Sequence, residues 1–188
     1  MTHEEQTQRE AERAAVMAYL AGDHAEPFVI ERRDAYPVFE VLFPTRLDNA
    51  KLLLRYVVLK IARWAPFCPV KVLFCRLAGV KVGRDVCIAP EVLIDPLFPW
   101  LIELEDGCCL GQGCRLFTHE YTATNFRIGR VRIGKGAVVG AYAIVRAGVS
   151  IGRKVTVGFN SYVNKDVPDG DVVGGVPARP LRSQQGAS

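Results

Sequence analysis

The chain has 188 residues, of which 49% are hydrophobic and 23% are charged. This composition is typical of one globular domain with a sizeable core and excludes disorder for most of the chain. The net charge of +4 is unevenly spread, because residues 1–34 carry eight acidic and four basic side chains, whereas residues 51–84 carry eight basic side chains and no acidic one.

The N-terminus is polar and acidic for its first dozen residues, unlike a secretory signal. The apolar stretch that follows is cut by Arg55 and Lys60, so it falls short of the roughly 18 apolar residues that a spanning helix requires. We therefore expect a cytoplasmic protein that does not cross a membrane and keeps its six cysteines reduced.

Three helices are predicted in the N-terminal region. The first covers residues 4–21, which are amphipathic and end before Gly22. The second is expected from Asp48, as N-cap, to about Arg63, and the third covers about 70–77.

A six-residue repeat follows, with an aliphatic residue at every sixth position and a small or β-branched residue four positions later. Its clearest aliphatic positions are Ile133, Val139, Val145, Ile151, Val157 and Val163. A period of six fits neither a helix nor strand alternation, but it fits a coil of three short faces with one inward side chain on each. Two breaks, at PLFPW and at 119–132, are predicted to be excursions from a continuing coil.

The segment IGKGAVVGAYAIVRAGVSIGRKVTVGFNSYVNKDVPDGDVVGGVPAR resembles the left-handed β-helix acyltransferases with hexapeptide repeats, particularly the maltose, galactoside and xenobiotic O-acetyltransferases. The resemblance implies an all-β fold class, a left-handed parallel β-helix with an α-helical N-terminal region. The domains expected are a helical region 1–78, a β-helix 79–182 with an excursion loop 119–132, and a flexible tail 183–188.

The same resemblance implies acyl transfer from acyl-coenzyme A, with His119 as the general base. Imidazole has an ordinary pKa near ~6.5 and is largely neutral at cytoplasmic pH, so it can accept the proton of an acceptor hydroxyl or amine. Transfer would be direct, without a covalent enzyme intermediate. The resemblance also implies a homotrimer, in which His119 of one chain faces the coenzyme contacts of the next.

The resemblance also implies the coenzyme contacts. They comprise backbone amides at the thioester carbonyl, a coil edge along the pantetheine arm and cations near the phosphates: Gly140 and Ala141, Gly158 and Phe159, Lys165 and Arg179. For the two cations, an ordinary solvated surface charge is the alternative. Relatives often carry Trp where this chain has Val138, a departure that affects the local shape of the pocket.

Two carboxylates are assigned to the acceptor. Asp95 matches the region where family members contact the acceptor, although an Asp before proline also forms turns. Glu120 neighbours His119 on an extended segment, where adjacent side chains point to opposite faces. It is therefore expected to face solvent or the acceptor and not to pair with the imidazole.

No metal site is expected. Cys108, Cys109 and Cys114 lack the spacing of a paired Cys-x-x-Cys site, and two of them occupy the small inward position of the repeat, so core packing is the better interpretation. A β-helix carbonic anhydrase would need three ligating histidines, whereas His3 and His24 lie outside the coil.

These observations predict an acetyl-coenzyme A-dependent O-acyltransferase acting on a sugar-like or small-molecule hydroxyl, with a non-catalytic β-helix assembly module as the alternative. The acceptor, the choice between O- and N-transfer and the acyl length stay open. No nucleic-acid partner is expected. The second helix either packs on the open end of the coil or uses its bases at 51, 55, 60 and 63 to contact an anionic membrane, on the inner surface.

Overall fold

The computed structural model describes residues 3–22, 24, 26–31, 42–43, 45–122 and 125–182. The predicted tail 183–188 lies outside these residues. The helices are α1 His3–Ala21, α2 Arg46–Trp64 and α3 Cys68–Leu77. The strands are β1 Phe28–Glu31, β2 Lys81–Val82, β3 Cys87–Ile88, β4 Leu93–Ile94, β5 Ile102–Leu104, β6 Cys109–Leu110, β7 Arg115–Leu116, β8 His119–Tyr121, β9 Asn125–Ile128, β10 Val131–Ile133, β11 Val138–Val139, β12 Ile144–Val145, β13 Ser150–Ile151, β14 Thr156–Val157, β15 Tyr162–Val163, β16 Val172–Gly174 and β17 Arg179–Arg182.

The repeat forms a coil of three parallel sheets. Sheet 1 contains β2, β5, β10 and β13, sheet 2 contains β3, β6, β11, β14 and β16, and sheet 3 contains β4, β7, β12 and β15. Ile133 pairs with Ile151, so residues three repeats apart stack on one another. The inward aliphatic side chains are buried in one core, as the six-residue period predicts. At the end of the coil, β17 turns back antiparallel to β16.

The N-terminus of α2 differs from the prediction. Thr45, not Asp48, is the N-cap, and the Asp48 backbone N–H donates to Thr45 Oγ1 at 3.1 Å. Asp48 instead accepts a hydrogen bond from the Thr45 backbone N–H at 3.3 Å, which completes a capping box. Helix α3 begins at Cys68 and has Pro69 in its first turn. Proline is tolerated there because the backbone N–H that it lacks would have no partner within the helix.

Helices α2 and α3 cover the first turn of the coil. Leu59, Ala62, Cys75 and Ala78 belong to the same buried cluster as the inward residues of the repeat. The carbonyl of Arg63 also accepts a hydrogen bond from the Glu91 N–H at 3.1 Å. The inner face of α2 therefore packs on the end of the coil. None of the helices in the described ranges has both the length and the apolar character that crossing a bilayer demands.

At both breaks in the repeat, the chain leaves the coil. The first contains a short 3-10 turn, Pro99–Leu101, and buries Phe98. The second is a β-hairpin, in which β8 pairs antiparallel with β9, and the coil resumes at Val131 rather than after residue 132. Strand β1, which the sequence analysis missed, adds antiparallel to β9. The two excursions and α1 share a second buried cluster that includes Val16 and Phe126.

Candidate active site

His119 lies where the chain leaves sheet 3 and enters the hairpin. The carbonyl of Thr118 accepts a hydrogen bond from the Gly129 N–H at 2.9 Å, which closes the base of the hairpin beside His119. The His119 ring stands edge-on to Phe98, with the centroids 6.2 Å apart, and its centroid is 6.3 Å from that of Phe126. The side chain is 23% exposed, so the imidazole is held by neighbours and still reaches the surface.

A buried carboxylate anchors this imidazole. Asp95 Oδ2 lies 2.5 Å from His119 Nδ1 and accepts hydrogen bonds from the Thr118 N–H at 2.8 Å, the Thr118 hydroxyl at 2.8 Å and the His119 N–H at 3.2 Å. Burial raises the pKa of Asp95, but hydrogen bonds and the charge of His119 outweigh burial and leave this pKa below its usual value. An ionised Asp95 accepts the Nδ1 proton, so the Nε2 lone pair is the one available to a substrate.

The contact of Asp95 with the acceptor stays a prediction, and the structure places this carboxylate beneath His119 instead of at the surface. No part of its side chain is exposed, and its carboxylate is occupied by the chain itself. The alternative interpretation, a turn before proline, holds for one carboxylate oxygen. Oδ1 accepts a hydrogen bond from the Leu97 N–H at 3.0 Å, as in a turn that an Asp side chain stabilises. The other oxygen positions His119, a role that the sequence analysis missed.

Glu120 points away from the Asp95–His119 pair. Its Oε2 accepts a hydrogen bond from Arg146 Nε at 2.7 Å, and both side chains are about one-third exposed. The hydrogen bond from Arg146 to Glu120 is the main cause that raises the pKa of this guanidinium. The structure therefore agrees that Glu120 does not pair with the imidazole. Arg146 was not predicted from the sequence, because nothing in the repeat distinguishes it from other outward residues.

Gly140 and Ala141 lie on the corner between sheets 2 and 3. The Gly140 N–H donates to the Val157 carbonyl at 2.9 Å, so it is not free to meet an oxyanion. Within the described part of the chain, the Ala141 N–H donates to no backbone carbonyl. A Cβ at Gly111 would lie 2.6 Å from this nitrogen, so glycine allows the stacked corner to approach closely. Of the two predicted amides, Ala141 is the one that remains available.

The other predicted coenzyme contacts lie along the coil surface. Phe159 is 79% exposed on the same corner as Ala141, and a Cβ at Gly140 would lie 2.8 Å from its ring. Gly158 is half-buried, and its N–H donates to the Val173 carbonyl at 2.7 Å. Lys165 is exposed on the corner between sheets 3 and 1, two coil turns from His119, and Arg179 is exposed in β17.

His119 and Ala141 thus occupy different corners of one coil. His119 follows sheet 3, whereas Ala141 precedes it. Among the described residues, no hydrogen bond or ring contact joins His119 to Ala141 or Phe159. One chain therefore does not bring the predicted base and the predicted coenzyme edge together.

The cysteines outside the helices lie in the core or on sheet 2. Cys108 and Cys114 are fully buried among the inward residues of the repeat, which confirms the packing interpretation for both. Cys109 is half-buried and pairs in register with the exposed Cys87 on the neighbouring strand. The described ranges contain no group of three His, Cys, Asp or Glu side chains arranged to hold a metal ion.

Comparison with known proteins identifies the family. Residues 130–165 match the family described as bacterial transferase hexapeptide (six repeats). The chain is 35% identical over 136 residues to YvoF of Bacillus subtilis, which is named as a candidate acetyltransferase, and the match covers 72% of this chain and 79% of YvoF. The chain belongs to the hexapeptide-repeat acyltransferases. The chain is also 28% identical to WcaF of Escherichia coli, named as a candidate colanic acid biosynthesis acetyltransferase, over 65% of this chain and 76% of WcaF.

Solved structures of hexapeptide-repeat acyltransferases share the fold. A maltose O-acetyltransferase from Clostridium difficile superposes with a TM-score of 0.60 at 16% identity, covering 74% of this chain and 89% of its own. A hexapeptide-repeat acetyltransferase of Vibrio cholerae, solved with acetyl-coenzyme A, gives a TM-score of 0.61 at 20% identity, with 75% and 91% covered. The coil is thus the left-handed β-helix that the resemblance implied.

Proposed function

We propose that this chain moves an acetyl group from acetyl-coenzyme A to a hydroxyl of a sugar-like or small-molecule acceptor. The observation that carries the proposal is the buried Asp95 carboxylate holding a part-exposed His119 at the base of the hairpin. The names of YvoF and WcaF support acetyl transfer, and the names of WcaF and the maltose O-acetyltransferase support a saccharide acceptor.

His119 is the proposed general base. Its Nδ1 proton is held by Asp95, so Nε2 accepts the acceptor's hydroxyl proton as that oxygen attacks the thioester carbonyl carbon. When the carbon–sulfur bond breaks, the imidazolium returns this proton to the departing thiolate. The products are the acetylated acceptor and free coenzyme A, and no bond to the protein forms. Asp95 stabilises the imidazolium because it is an ionised carboxylate in direct contact.

Ala141 is the proposed donor to the oxyanion. Its N–H is available at a corner where small residues let a substrate approach, and a fixed donor at that position would stabilise the charge on the carbonyl oxygen. Gly158 and Phe159 extend this corner by one coil turn as the contact for the pantetheine arm. Lys165 and Arg179 are exposed cations proposed to bind the phosphates of the coenzyme.

Glu120 is proposed to contact the acceptor. One of its oxygens is engaged by Arg146, and the side chain remains about one-third exposed beside His119. A carboxylate whose orientation is fixed in this way can accept a hydrogen bond from a second hydroxyl of a sugar.

The acetyl-coenzyme A donor and the reduced thiols favour a cytoplasmic setting.

A homotrimer completes the proposed site. His119 and Ala141 lie on different corners, so a neighbouring copy is needed to bring one chain's imidazole to another chain's coenzyme edge. Cyclic assembly of identical chains creates such shared sites at every interface. Light scattering at micromolar concentration should give the mass of three chains, and a monomer alone would contradict this arrangement.

The decisive experiment on the base is His119→Ala, assayed by release of the coenzyme thiol with the best acceptor from a saccharide screen. Turnover should fall by roughly 10²- to 10⁴-fold while coenzyme binding persists. His24→Ala, which changes an exposed histidine outside the coil, is the matched control and should retain turnover. A folded His119→Ala that turns over at the parent rate would exclude the proposed base. A parent chain that neither binds coenzyme A nor releases thiol would favour the assembly module.

Subunit mixing tests whether the site is shared. His119→Ala removes the proposed base, and Ala141→Trp blocks the proposed coenzyme contact on a different corner of the coil. Each variant alone should therefore be inactive. Co-refolded mixtures place an intact His119 against an intact Ala141 at about one quarter of the interfaces if sites lie between chains. Activity that returns to about that fraction supports the shared site, whereas mixtures without activity would contradict it.

A further inference from the structure

Helix α2 has two apolar faces. Its inner face includes Leu59 and Ala62, which are buried against the coil. Leu54, Val57, Ile61 and Trp64 follow one another at intervals of three or four residues and therefore form a second stripe along the helix. These four side chains are between 45% and 67% exposed. Packing on the coil thus accounts for only one of the two faces.

The neighbouring elements also carry exposed apolar side chains. Phe67, Leu73 and Leu77 are between 54% and 68% exposed, and α3 packs directly against α2. Together, the seven side chains define the outer face: Leu54, Val57, Ile61, Trp64, Phe67, Leu73 and Leu77. Large exposed apolar surfaces of this kind mark interaction sites rather than ordinary solvent-facing surface.

The segment that carries the outer face is basic. Residues 49–84 contain eight basic side chains and no acidic one; of the eight, Lys71 is buried and Arg84 is paired with Asp106. Lys51 and Lys60 are exposed on α2, and Lys60 Nζ lies 5.1 Å from the centre of the Tyr56 ring. The Arg63 guanidinium lies 5.8 Å from the Trp64 ring. Basic side chains therefore lie beside exposed aromatic rings, an arrangement suited to the polar headgroup region of a bilayer.

We propose that the outer face docks on the surface of an anionic lipid bilayer, with α2 lying in the plane of the interface. Its apolar side chains would enter the boundary between headgroups and acyl chains, while Lys51 and Lys60 meet the lipid phosphates. A second copy of the chain is a poorer occupant, because self-contact would place two basic segments without acids against each other. The docking does not depend on acyl transfer, but it would carry the site to an acceptor attached to lipid.

A trimer would strengthen this contact without new interactions. Each chain presents the outer face at the end of the coil where α2 and α3 cover the first turn. In a cyclic assembly, the three ends point the same way, so one vesicle can engage three outer faces at once.

The test is sedimentation of the full chain with vesicles. Phosphatidylcholine vesicles that contain phosphatidylglycerol should carry the protein into the pellet, vesicles of phosphatidylcholine alone should not, and high salt should release it. Two double variants test the contact: Leu54→Ser with Trp64→Ser, and Lys51→Glu with Lys60→Glu. Each should lower the affinity for anionic vesicles by roughly tenfold or more. Leu181→Ser and Lys154→Glu, which change exposed residues far from the outer face, are matched controls and should bind like the parent.

Three results of the sedimentation itself would overturn the proposal. They are equal binding to neutral and anionic vesicles, no binding to either, and control variants that lose binding as much as the outer-face variants. A loss of trimer mass in Leu54→Ser with Trp64→Ser would also overturn it, because the outer face would then be a contact between copies. Melting curves and thiol release with a soluble acceptor, both expected at parent values, separate loss of docking from unfolding and from failure of the proposed reaction.

Discussion

The carboxylate of Asp95 meets Nδ1 of His119 at the one place where both excursions leave the coil. Asp95 directly follows Ile94 of β4, and His119 comes three residues after Leu116 of β7. Ile94 and Leu116 are register partners on adjacent strands of sheet 3. The two breaks in the repeat are therefore stacked, and together they hold an ionised carboxylate under an imidazole.

Asp95→Asn should lower turnover by about 10²-fold, because the amide no longer favours the Nδ1-protonated ring or stabilises the imidazolium. Coenzyme binding should be unchanged, since Asp95 is buried away from the coil edge. A merely structural role would lower stability but leave the pH dependence of turnover unaltered. The measurement is turnover against pH for the parent and for Asp95→Asn at temperatures where both are folded.

Acid should destabilise the parent through the same carboxylate. The pKa of Asp95 is lower in the folded chain than its ordinary value near ~3.9, so its contribution to the free energy of unfolding is present above about pH 4 and is lost as the pH falls through the folded pKa. Urea unfolding at pH 7 should show Asp95→Asn less stable by about 1–3 kcal/mol. This gap should narrow below pH 4, and a gap that stays constant would contradict the linkage.

Lys165→Ala should raise the KM for acetyl-coenzyme A roughly tenfold and leave turnover at saturation nearly unchanged, because it removes a contact common to ground and transition states. The effect should diminish at high salt, since Lys165 is exposed. Lys154→Ala, an exposed lysine on another corner, is the matched control. An equal KM for the two variants would assign Lys165 to ordinary surface charge.

The buried thiols should resist alkylation until the chain unfolds. Burial, followed by the charge of Cys109, raises the pKa of Cys108 and of Cys114 to about 12, so both thiols stay protonated at pH 8. Cys87 is exposed and should be modified first by iodoacetamide, although burial and Cys109 also raise its pKa. Peptide mass spectrometry at intervals gives the order, and early labelling of Cys114 would contradict the packed core.

The coil could be predicted from the sequence because the same short pattern of inward and small residues recurs in every turn. Each aliphatic residue of the repeat is buried for the same reason as its neighbour six positions away, so a period in the sequence becomes a stack in the structure. His119 was found because it begins a break in that period. Thr45 was missed as N-cap because Asp48 satisfies the same composition rule, and only the backbone shows which residue caps α2.

The role of Asp95 and the pairing of β1 could not be predicted in the same way. Asp95 contacts a residue 24 positions away through the register of two strands, and an Asp before proline has a sufficient local explanation as a turn. Residues 28–31 are too short and too ordinary to indicate a strand, and they pair only because β9 offers an open edge. The sequence also could not show that the Gly140 N–H donates to the Val157 carbonyl, because that bond depends on the stacking of coil turns.

Strand β1 gives the hairpin an energetic link to the N-terminal region. Ile30 pairs with Phe126 across an antiparallel edge, while Tyr121 pairs with the same residue from the other side. Hydrogen exchange would therefore find β1, β8 and β9 opening together as one cooperative unit, distinct from the stacked coil. His119 is the first residue of that unit. When the unit opens, the imidazole can lose its alignment with Asp95 while the backbone amides of the β-helix coil stay protected from hydrogen exchange.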